Sequence, residues 1–161
     1  MSTLPEFQIG QLLRERKLRL TLAESCTGGL IGDRITDVPG SSEYFLGGVV
    51  AYAYEAKVAM LGVSWDTLNS KGAVSKETVL EMARGARRLL DADISVAVTG
   101  IAGPGGGTPE KPVGTTWIGL AAQDGEWTML LQFAGDREEN KQASSDAALR
   151  MLLEYLKGNL R

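Results

Sequence analysis

Short apolar runs alternate with segments of helical period along most of this chain, and that alternation leaves few folds open. Leu18 to Ala23, Phe45 to Tyr54 and Ile94 to Val98 read as strands, and the second is so continuously apolar that burial on both faces is expected. Pro5 to Lys17, Gly28 to Ile35, Glu55 to Leu61 and Arg137 to Leu156 read as helices, and Ser64 caps a short turn through Leu68. Ser75 opens a longer helix through Leu90 that places Val79, Met82, Ala83, Ala86, Leu89 and Leu90 on one stripe. Val113 to Ala122 and Trp127 to Phe133 flank Asp124-Gly125, a two-residue signal for an antiparallel hairpin. The expectation is a single three-layer α/β/α domain over residues 1–161, on a mixed, mostly parallel sheet of about five strands with a C-terminal antiparallel hairpin.

Absences narrow the chemistry. The chain contains no histidine, which excludes a Ser-His-Asp triad, a histidine base and every histidine-ligated metal. It contains one cysteine, which excludes intrachain disulfides and Cys-x-x-Cys chemistry. No metal and no cofactor are expected. The net charge of −3 advertises neither a nucleic-acid nor an anionic-membrane partner. Arg84, Arg87 and Arg88 read as a solvated helix face. No apolar run approaches the roughly 20 residues of a spanning helix. The helical pattern starts too early to leave a signal peptide, so a cytoplasmic location is expected.

The run from Thr21 to Gly29 carries the most chemistry. A strand breaks into a helix there, at the carboxyl edge where open α/β sheets bind ligands, and the break aims the first N–H groups of the helix at that edge. Ser25 and Cys26 both qualify as nucleophiles, and adjacent strand-end residues point to opposite sides. A helix N-terminus favours a thiolate at Cys26, whereas a lone cysteine is commonly a small buried apolar residue, and an isolated Ser25 is commonly a cap. The N–H groups of Cys26, Thr27 and Gly28 have the makings of an oxyanion hole.

Without histidine, the best base for a serine is a lysine in an apolar segment, and Lys57 between Ala56 and Val58 fits. Its pKa must fall from about 10.4 to about 7–8, which desolvation plus a nearby cation can supply; the ordinary alternative is a surface lysine lying along an amphipathic turn. Tyr52 and Tyr54 share one strand face by spacing, suited to packing or to a phenol beside the hydroxyl. Thr99 to Gly107, including Gly100, Gly103, Gly105 and Gly106, follows a strand as anion-cradling loops do, without the ending of a Walker motif. Arg137, at the start of the last helix, suits a phosphate or its neighbours Glu138 and Glu139.

Together these blocks resemble the CinA C-terminal domain family, whose enzymatically defined members are nicotinamide-mononucleotide deamidases. The resemblance rests on Ala23–Gly29 (AESCTGG), Pro39-Gly40-Ser41-Ser42, Tyr52 with Glu55-Ala56-Lys57, Gly72-Ala73-Val74-Ser75, Thr99–Pro104 (TGIAGP), Lys111–Thr115 (KPVGT) and Gly135-Asp136-Arg137. It implies the stand-alone form of the family and a metal-free Ser/Lys amidohydrolase. Ser25 would be the nucleophile and Lys57 its base, with Tyr52, Thr99, Arg137 and Ser42 supporting catalysis or binding. Its ligand would be a pyridine mononucleotide, its role pyridine-nucleotide salvage or damage control, its solution state a homo-oligomer. The chain departs from the family's common Tyr-Ser-Asn ahead of Glu-Ala-Lys, having Tyr52-Ala53-Tyr54, so a hydroxyl and an amide are missing beside Lys57. That departure motivates two alternatives: a nucleotide-binding or partner-binding module with weak or no turnover, and an amidase for another small amide.

Overall fold

The computed structural model describes residues 3–160. The strands are β1 (Leu20–Glu24), β2 (Phe45–Val50), β3 (Ile94–Gly100), β4 (Thr115–Ala122) and β5 (Gly125–Gln132). The helices are α1 (Pro5–Arg16), α2 (Leu30–Thr36), α3 (Tyr54–Leu61), α4 (Trp65–Lys71), α5 (Lys76–Leu89) and α6 (Arg137–Leu156). One sheet runs β2-β1-β3-β4-β5, parallel from β2 to β3 and antiparallel from β3 to β5. The carboxyl ends of β1, β2 and β3 therefore share one edge, and β4 begins there. The hairpin forms as expected.

Two apolar clusters flank the sheet and make three layers. Leu20, Leu22, Val96, Ile118 and Leu120 face α1, α2 and α6 through Ile9, Leu13, Ile31, Leu149 and Leu152. Ala23, Ala97 and Ala121 face α3, α4 and α5 through Leu61, Leu68, Val79, Met82 and Ala83. Small residues on that second face let α5 lie close, and Gly85 extends the same logic: a Cβ there would come within 1.8 Å of the Leu61 carbonyl oxygen at the end of α3. On the opposite face, Arg34 of α2 holds Glu6 of α1 at 2.8 Å and Asp146 of α6 at 3.4 Å.

Three expectations change. The second strand ends at Val50 and forms an edge of the sheet, with Val50 exposed. Its apolar sequence reflects pairing with β1 and packing of Phe45 on the α2 side and Val49 on the α3–α5 side, and its Gly47-Gly48 pair adds no side chain to bury. Tyr52 and Tyr54 consequently share no strand face; Tyr52 lies in the connection and Tyr54 opens α3, its ring 6.3 Å from Trp65. Leu89 and Leu90 are exposed, because α5 runs past the sheet at its last turn.

Candidate active site

Ser25 follows the last residue of β1, and its N–H donates to the Val98 carbonyl of β3 at 3.1 Å. It is buried, and its neighbour Cys26 joins the α6-side core, so the two point apart as strand-end neighbours should. From the other side comes Lys57, in the first turn of α3. Apolar neighbours seal this helix against α5, and Gly62 in the left-handed region (φ 68°) ends it.

Only 1% of Lys57 is exposed. Its Nζ stands 2.9 Å from Ser25 Oγ, 2.9 Å from the Ala51 carbonyl and 2.9 Å from the Tyr52 carbonyl. An ammonium donates one hydrogen to each. A neutral amine keeps two for the carbonyls, and since carbonyls cannot donate, its lone pair faces the Ser25 hydroxyl. The surroundings favour that neutral form. Burial pushes the Lys57 pKa down from 10.5 to about 8. The arrangement is that of a base poised on a hydroxyl.

Cys26 is disposed the opposite way. Burial, with Glu24 nearby, pushes its thiol up to about 11, which leaves it protonated and weakly nucleophilic. The α2 N-terminus does not offset this, because Glu24 has already taken its N–H groups. The Glu24 carboxylate accepts from Thr27 Oγ1 at 2.6 Å and from the N–H groups of Gly29, Ile31 and Gly32 at 3.2, 2.9 and 2.9 Å. The expectation that these groups face a ligand is thereby corrected. Gly28 is likewise engaged, its N–H donating to the Ser25 carbonyl at 3.1 Å. Among the described residues, the N–H groups of Cys26 and Thr27 have no main-chain acceptor.

A pocket of about 250 Å³ opens over this pair. Ser25, Cys26, Lys57, Tyr52, Thr99, Gly100, Gly103, Gly105, Gly106 and Arg137 line it, joined by Ala73 and Val74. Thr99 Oγ1 donates to the Ala73 carbonyl at 2.8 Å, which leaves its lone pairs free to accept. Arg137 donates to the Gly103 carbonyl at 2.6 Å and to the Tyr52 hydroxyl at 2.9 Å. Tyr52 thus reaches the base through its carbonyl and the guanidinium through its phenol. Arg137 makes no ion pair among the described residues, with Glu138, Glu139 or any other carboxylate. Its charge is available to an anion.

Thr27 and Gly28, expected as backbone donors, are not among the residues lining the pocket, and Ser42 is not brought here at all. It lies in the 3-10 turn Ser41–Glu43, ahead of β2, whereas the pocket lies beyond the strand's other end. Two residues without an expected role emerge. Glu24 is one; its signal was a carboxylate closing an apolar strand. Asn140 is the other, buried one turn after Arg137, with its amide donating to the Ala102 and Gly135 carbonyls at 3.0 Å each. It ties the glycine loop to the start of α6. Arg84 proves to be paired with Glu126 at 2.6 Å rather than simply solvated. No group of three or more His, Cys, Asp or Glu capable of holding a metal occurs among the described residues, and no described helix is long and apolar enough to cross a membrane.

The family model described as the CinA C-terminal domain matches residues 3–156. A CinA-like protein of Chlorobaculum tepidum is 54% identical over 160 residues, covering 96% of this chain and 38% of the relative. A CinA-like protein of Thermotoga maritima is 50% identical over 151 residues, covering 94% and 37%. The chain thus spans less than two-fifths of these curated relatives. Solved structures match along nearly their whole length. The competence/damage inducible protein CihA from Agrobacterium tumefaciens is 42% identical, with a TM-score of 0.86 over 98% of this chain and 99% of that one. A competence-damaged protein (CinA) superfamily protein from Escherichia coli is 36% identical, with a TM-score of 0.91 over 94% and 88%. By sequence and by fold, the chain belongs to the CinA C-terminal domain family.

Proposed function

We propose that this protein is a Ser/Lys amidohydrolase that converts nicotinamide mononucleotide to nicotinate mononucleotide and ammonia. The observation that carries the reading is the buried Lys57 Nζ, 2.9 Å from Ser25 Oγ, with its other two contacts on carbonyls. Ser25 Oγ attacks the carboxamide carbon while Lys57 takes its proton. The N–H groups of Cys26 and Thr27 hold the tetrahedral oxyanion. The C–N bond then breaks, and Lys57 passes its proton to the departing nitrogen, which leaves as ammonia. Water gives a proton to Lys57 and attacks the acyl-enzyme; the acid departs, and the proton returns to Ser25. Thr99, with its hydroxyl hydrogen committed to Ala73, accepts from the carboxamide N–H₂. Arg137 supplies an unpaired cation for the phosphate.

A coupled ammonia assay on nicotinamide mononucleotide tests this. Ser25→Ala and Lys57→Ala abolish release, and Cys26→Ala retains it; full activity in Ser25→Ala overturns the assignment. The Tyr52-Ala53-Tyr54 segment supports a second reading, a nucleotide-binding module without turnover. Calorimetric binding of the mononucleotide with no ammonia at high enzyme concentration would favour it. The proposal includes a homo-oligomer, supported by exposed Val50, Tyr52, Tyr54, Met60 and Trp65, and light scattering tests it.

A further inference from the structure

Glu24 stands directly before the serine, 97% shielded from solvent by its 3% exposure, with no cationic side chain among its hydrogen-bond partners. A buried carboxylate is costly unless every lone pair is met. Here the donors are the Thr27 hydroxyl and three main-chain N–H groups at the entrance to α2. The helix has no side-chain cap of its own, since its N-cap position is Gly29 (φ 107°). Glu24 fills that role from five residues upstream.

Its main chain is pinned as well. The Glu24 carbonyl accepts from the Ala51 N–H at 2.9 Å, and Glu24 stands in register with Val50 on one side and Val98 on the other. Backbone fixed to the sheet and side chain fixed to α2, the residue spans the Ser25–Gly28 turn from end to end. We propose that Glu24 is a positioning residue for Ser25, its carboxylate bracing the turn in the shape that brings Ser25 Oγ to Lys57 Nζ. The direction of the side chain also matters for the base. The carboxylate lies on donors of α2, and the hydrogen-bond partners of Nζ are all neutral oxygens. A negative charge one residue from the nucleophile therefore does not pair with the amine and hold its proton there.

The inference rests on Ser25 being the nucleophile, so the test reads Ser25 directly. Full-length protein is treated with a fluorophosphonate, and labelling of Ser25 is followed by intact mass and peptide mapping at a temperature where all variants are folded. Glu24→Gln keeps one acceptor oxygen and turns an amide N–H₂ toward the Gly32 N–H. Labelling is expected to slow at least fivefold, while a core control of comparable Tm loss, Leu153→Ala in α6, stays within twofold of wild type. A Glu24→Gln rate less than fivefold below wild type overturns the proposal, as does an equal slowing in the control. If Glu24→Gln does not fold, Thr27→Val removes one of the four donors and keeps the main chain; labelling there slows at least twofold, and a smaller change overturns the proposal. Wild-type protein that is never labelled at Ser25 fails at the earlier step, the assignment of the nucleophile.

Discussion

The proposed hydrolysis by Ser25 and Lys57 carries a pH dependence that can be worked out in advance. With a pKa of about 8 in place of 10.5, the neutral fraction at pH 7 is about one in ten, roughly 300-fold more than an unperturbed lysine offers. Between pH 6 and 8 that fraction rises about 50-fold, and from pH 8 to 9 it less than doubles. Cys26, pushed up to about 11, stays a thiol across this range. The assay is the rate of ammonia release, or of Ser25 labelling, from pH 6 to 9.5, with the alkaline breakdown of the nucleotide subtracted. A unit slope bending to a plateau near pH 8 is expected, and Lys57→Arg, which stays charged throughout, loses the rate at every pH. The same shift bears on stability. The folded pKa lies below the unfolded one, so between about 8 and 10.4 the unfolded chain binds more protons and folding stability rises with pH, by about 3 kcal/mol in all. A rate that keeps climbing tenfold per unit through pH 9, or one that is flat, would refute the buried neutral base.

Gly85→Ala forces a methyl against the Leu61 carbonyl and pushes α3 from α5, so a loss of about 1–3 kcal/mol is expected in denaturant unfolding, with slower Ser25 labelling because Lys57 rides on α3. Wild-type values for both would show that the helices do not need that contact. Ala53→Ser supplies the missing cap of α3, where no side chain now accepts from the first turn, and should add about 1 kcal/mol and about 2–4 °C to Tm. Arg34→Met strands the buried Glu6 and should cost about 3–5 kcal/mol; pairing it with Glu6→Gln should recover part of that, and strict additivity would contradict the pairing.

The alternation of apolar runs and helical periods was enough to reveal the layers and the hairpin and to put Ser25, Cys26 and Lys57 at one sheet edge, because each depends on local pattern and on where a strand ends; the choice of Ser25 with Lys57 over Cys26 came from the family resemblance. What stayed hidden depended on tertiary placement. The apolar run Phe45–Val50 looks the same in a central or an edge strand; only its position beyond β1 settles that. Ser42 precedes its strand and Lys57 follows it, so parallel pairing sends them to opposite edges. Glu24 sat in plain view, but whether its side chain turns toward substrate or back onto α2 is decided by a turn of four residues. The departure at Ala53 falls on a helix cap rather than on the amine, whose carbonyl partners come from main chain that any side chain can provide.

The lateral margin formed by β2 has a bearing on handling and on mutation. Its outward amides and carbonyls have no partner strand among the described residues, and its sequence, Phe-Leu-Gly-Gly-Val-Val, contains neither lysine nor proline to repel a stranger. What guards it is shape: six residues only, twisted by the irregularity opposite Leu20 and Thr21. Protection of that kind is indifferent to ionic strength but vulnerable to straightening. A β-branched replacement at Gly47, whose φ of 140° such side chains do not adopt, would drive that residue toward ordinary strand geometry and flatten the ribbon, and the first symptom would be a sample that turns cloudy on concentration.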